Sequence, residues 1–74
     1  MEIKFDITFT GAVAPALFDA VASRLRPLLP ELQRSAPLQV GDSLLVAGKH
    51  LRVVARTWYM NSAEPMLEFR LTVD

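Results

Sequence analysis

The chain has no cysteine and one histidine among 74 residues. Disulfides and thiolate metal sites are therefore excluded, and so is a site built from several histidines. Glycine is scarce, with only Gly11, Gly41 and Gly48. They do not cluster as a phosphate-cradling loop requires. Neither sign of charge is in excess, since eight basic and eight acidic residues cancel. Affinity for nucleic acid rests largely on phosphate contacts made by a basic surplus, so that class is disfavoured. No apolar run approaches the ~20 residues that span a bilayer. The N-terminus opens directly on a strand pattern, unlike a secretory leader. The expectation is a cytoplasmic protein with no cofactor and no metal.

What is present is apolar. The hydrophobic fraction is 51%, slightly high for a small domain. A chain of this length buries only ~60–65% of its unfolded surface. Small domains add disulfides, a metal or a partner subunit, and the first two are excluded here. One small domain over residues 1–74 is expected, with a homodimer as its means of extra burial. The richness in Ala, Leu, Val, Arg and Pro has a bacterial or phage-like character.

Ile3, Phe5, Ile7 and Phe9 alternate with Glu2, Lys4, Asp6 and Thr8, the period of a half-buried strand. Gly11 ends it. Residues 14–26 then read as a helix. Pro15 suits its first turn, and Leu17, Val21 and Leu25 recur at four-residue spacing. Pro27 ends or kinks the helix. Pro30 can start a short further turn to about residue 33. Val40-Gly41-Asp42 is a turn signal before Ser43–Ala47.

Residues 43–73 fold on paper into two successive hairpins. Gly48-Lys49 suits a two-residue loop with glycine first, which sets Val46 against Leu51 and Leu44 against Val53. Asn61–Pro65 closes the second hairpin. There, Val53 is set against Val73, Ala55 against Leu71, Thr57 against Phe69 and Tyr59 against Leu67. That pairing gives an inner face of Phe5, Ile7, Phe9, Val53, Ala55, Phe69 and Leu71, against which Leu17, Val21 and Leu25 pack. The stretch Val40–Arg56 is similar to hairpins of many small bacterial and phage β-rich proteins, and implies no activity.

The predicted fold is α+β, a two-layer β-α-β-β-β arrangement with one helix on a four-stranded, mostly antiparallel sheet. The first strand is placed beside the last, and an SH3-like small barrel is the alternative. In this register Arg52, Val54, Arg56 and Trp58 share an outer face with Glu68, Arg70, Thr72 and Asp74. Arg56 and Arg70 stand opposite each other, an arrangement that invites an anion. Leu45, Trp58 and Met60 add apolar surface, and Trp with Arg is typical of binding hot spots. Arg52, Arg56, Trp58, Met60 and Arg70 are the candidate partner-binding residues. A local reading competes, in which residues 27–37 fold over this face or Trp58 stacks on Arg56.

His50 has no second histidine, cysteine or converging nucleophile beside it, and reads as a solvated turn residue. No catalytic residue is expected. The predicted function is a non-enzymatic protein-binding module, an accessory subunit or small inhibitor, facing an acidic partner. A self-assembling structural protein and a weak nucleic-acid binder are the alternatives.

Overall fold

The N-terminal alternation becomes strand β1 (Lys4–Phe9) in a computed structural model that describes residues 2–60 and 63–74. Ile7 is fully buried, with Phe5 and Phe9 packed around it. Helix α1 (Pro15–Leu25) starts with proline in its first turn. The amides of Leu17 and Phe18 bond to the Ala14 carbonyl, so the N-terminus is tied without a side-chain cap. Val21 and Leu25 form its buried stripe. Pro27 does not break the path outright. It sits in a 3-10 turn (Arg26–Leu28) that leads into α2 (Leu29–Ser35). Leu29 of α2 is buried in the same core.

Three strands complete the fold: β2 (Ser43–Val46), β3 (Lys49–Tyr59) and β4 (Met66–Val73). The sheet order is β1-β4-β3-β2, with β1 parallel to β4 and the other pairs antiparallel. This is the expected α+β two-layer arrangement, with β1 beside the last strand. Ile7, Val53, Leu67, Phe69 and Leu71 meet Val21, Leu25 and Leu29 in one core, joined by Leu38 and Leu51. Each fully buried side chain of this size contributes about 1.5–3 kcal/mol of transfer free energy.

The first hairpin is shifted by two residues from the expected register. Leu44 faces Leu51 and Val46 faces Lys49, so the loop is Ala47-Gly48. Both loop residues have positive φ, 53° and 77°. That is the signature of a type I′ turn, whose twist matches the flanking strands. A shift of two leaves every side chain on its face. Leu44 and Val46 therefore still point toward the core.

The second hairpin differs in a way that matters more. Val53 pairs with Leu71, but Ala55 pairs with Arg70, so Val54 is an extra residue in a β-bulge. A bulge places two residues against one and so exchanges the faces beyond it. Arg56 now faces Phe69 and Trp58 faces Leu67, while Thr57 faces Glu68. Ala55, expected in the core, is instead on the open face opposite Arg70. The unbroken pairing of Tyr59 with Leu67 puts Tyr59 on the inner face, but the bulge sets it opposite Met66 on the other. It is 38% exposed, and its hydroxyl reaches Glu68 Oε1 at 3.5 Å. The connection between the strands runs from Met60 to Pro65. Of the residues expected to close it, Asn61 and Ser62 lie outside the described residues.

Candidate functional site

The bulge divides the five candidate binding residues between the two faces of the sheet. Arg52 and Arg70 lie on the open face, away from the helices. Arg52 is 3.2 Å from Asp74 Oδ2, and Arg70 is 3.8 Å from Glu68 Oε1. The expected apposition of Arg56 with Arg70 does not occur. Arg70 stands opposite Ala55, and its anion comes from its own strand. Glu68 is 8% exposed and also meets the Tyr59 hydroxyl. The open face is thus electrically closed around these arginines. The Arg52–Asp74 pair, open to solvent on both sides, contributes at most about 1 kcal/mol.

Arg56, Trp58 and Met60 belong to the helix side. Arg56 donates from Nη2 to Gln33 Oε1 of α2 at 3.3 Å. Its guanidinium carbon lies 5.7 Å from the Trp58 ring centroid, within cation–π range. The Arg56 Nε is buried and meets no acceptor among the described residues. One part of the competing local reading is present, since tryptophan and arginine stack. The other is not: residues 27–37 do not fold over the open face, and Gln33 meets Arg56 because the bulge turns Arg56 to the helix side.

These contacts do not cover the tryptophan. Trp58 remains 38% exposed, Met60 68% and Ile3 37%. With Pro65 they line an open notch of about 500 Å³ whose walls are almost wholly apolar. On the other side of Ile3 lies a second depression of similar volume, about 500 Å³, walled by Phe5, Pro30, Gln33 and Arg34. The two adjoin at Ile3, which lines both, and together they make up the groove between α2 and the end of β3. Glu2 stands at its α2 end.

Ile3, Pro65, Pro30 and Gln33 were not singled out from the sequence as site residues. Ile3 carried a signal as the first inward position of the N-terminal alternation. It lies one residue ahead of β1, where β4 begins, which is why its outer edge stays exposed. Pro65 read only as a turn residue. Gln33 carried no pattern, because its role comes from where the kinked connector lands.

Among the described residues no group of His, Asp and Glu could hold a metal ion. No helix there is long and apolar enough to cross a membrane. No family model, curated protein or solved structure matches this chain.

Proposed function

We propose that this protein is a non-enzymatic protein-binding module whose contact is the groove centred on Trp58. One observation carries the reading. A tryptophan, a methionine and an isoleucine stand partly exposed around one apolar notch, with a guanidinium stacked on the tryptophan. A contiguous exposed apolar group of this kind marks an interaction site, whereas single exposed residues do not. Trp and Arg are among the residue types most enriched at binding hot spots. The partner places an apolar side chain in the notch beside Trp58 and Met60. It also presents a carboxylate to Arg56, whose planar donors suit an acidic group. Arg52 and Arg70, already engaged by Asp74 and Glu68, hold the fold rather than the partner.

The test is affinity capture from the native host, followed by titration of the captured protein against variants. Trp58→Ala is expected to weaken binding by at least ~2 kcal/mol, about thirtyfold. Arg56→Ala weakens it less, and Arg70→Ala leaves it unchanged. Equal loss with Trp58→Ala and Arg70→Ala would remove the groove from the reading.

A further inference from the structure

The two edges of the sheet are treated differently. At β1, Lys4 is 3.2 Å from Glu64, and Arg26 reaches Asp6 at 3.4 Å. Charges and ion pairs along an edge block the addition of another strand. At β2 the sequence is Ser-Leu-Leu-Val, with no charge. Leu45 is 67% exposed there, beside Leu28 at 56%. The two-residue loop fixes which backbone groups are free. In such a hairpin the closing pair, here Val46 and Lys49, is hydrogen-bonded. Leu44 and Val46 therefore turn their backbone bonds toward β3. Ser43 and Leu45 turn their N–H and C=O groups outward.

The charges around β2 have a direction. Among the described residues, Arg24 and Lys49 are the cations with neither an ion pair, a hydrogen bond nor a ring contact. Both stand near the C-terminal end of β2. Arg24 lines a notch of about 180 Å³ with Leu28, Leu45 and Ala47, and Lys49 is the cross-strand partner of Val46. At the N-terminal end stands an anion, Asp42. Its carboxylate accepts the Gln39 amide at 2.8 Å but faces no cation.

We propose that β2 pairs antiparallel with β2 of a second copy, about a two-fold axis at Leu44, giving one continuous sheet through both subunits. Ser43 of each copy exchanges both backbone bonds with Leu45 of the other. Continuing that register sets Val46 against Asp42 of the second copy. The free cations of one subunit then stand beside the free anion of its partner, at both ends of the interface. A parallel pairing would instead put like charges together. An isologous, self-complementary edge is what a two-fold dimer needs. This surface is separate from the Trp58 groove.

Light scattering coupled to sizing, from micromolar to submillimolar concentration, tests the proposal. The expected mass at the upper end is twice 8.2 kDa. Leu45→Pro removes an N–H that β3 does not use, at an edge position where proline is tolerated. It should return the mass to that of one chain with the thermal melt nearly unchanged. Leu45→Lys should do the same without altering the backbone. Asp42→Asn keeps the bond to Gln39 and loses the charge, and should raise the dissociation constant about fivefold. A wild-type protein that stays monomeric overturns the proposal, as it would if the edge instead took a strand from a different protein. So does a dimer indifferent to both Leu45 variants. A dimer broken by Trp58→Ala and not by these would move self-association to the groove.

Discussion

The two halves of β3 obey different rules. From Lys49 to Val53 the strand keeps the faces that simple alternation assigns, and Leu51 and Val53 are fully buried. From Ala55 to Tyr59 every side chain is on the opposite face from that assignment. One residue, Val54, separates the halves. The difference teaches that register errors of two residues are harmless to a reading of the core, while an error of one inverts it. It also places function. Arg56 and Trp58 lie beyond the bulge, and only there do they meet α2 and the notch at Ile3. Bulges commonly re-aim side chains near functional sites.

The largest expected effect comes at the residue that faces inward under either pairing. Phe69→Ala should cost about 3–5 kcal/mol in denaturant unfolding. It becomes discriminating when paired with a neighbour. Arg56 faces Phe69, so Phe69→Ala and Arg56→Ala should be non-additive by at least about 0.5 kcal/mol. Phe69→Ala and Thr57→Ala should add. The reverse pattern would restore an unbroken ladder.

Deleting Val54 is the next sharpest cut. In the bulged pairing its loss leaves Val53 opposite Leu71 and Ala55 opposite Arg70, so both faces survive. The expected cost is about 1–2 kcal/mol, for a half-buried valine and a changed twist. In an unbroken ladder the same deletion would invert half the strand and unfold the domain. A cooperative melt with Trp58 in an unchanged environment supports the bulge.

The smaller effect concerns the first half of β3. Ala47 has φ 53°, where a Cβ atom costs about 1–2 kcal/mol. Ala47→Gly should therefore stabilise the protein, by about 0.5–1 kcal/mol after the entropy of glycine is subtracted. With a Gly48-Lys49 loop, Ala47 would be an ordinary strand position and the same change would destabilise. The sign, read by thermal melting, decides the hairpin register.

Much of the architecture was legible because it follows from period alone. The four-residue recurrence of Leu17, Val21 and Leu25 and the alternation from Ile3 to Phe9 each name a buried face. Placing β1 beside β4 leaves β4 and β3 as the two central strands. The bulge was not legible, because Val54-Ala55 carries no glycine or other local mark, and an unbroken pairing also gave two tidy faces. The type I′ loop was obscured for a related reason, since alanine is a poor residue for positive φ and Gly48 suggests a loop starting one position later. The candidate site was half visible. Composition and spacing point to Trp58, Arg56 and Met60, but an unbroken register sets them among the wrong neighbours. Arg52 and Arg70 were grouped with them only through the unbroken register.

Trp58 is the only tryptophan in the chain, so its surroundings can be read without ambiguity. Nuclear Overhauser contacts from its indole protons are the most direct test of the account. Contacts to the side chains of Ile3 and Pro65 and to Arg56, with none to Arg70 or Thr72, are the predicted result. Contacts to Arg70 would put the tryptophan on the open face, abolish the bulge and contradict the assignment of the groove.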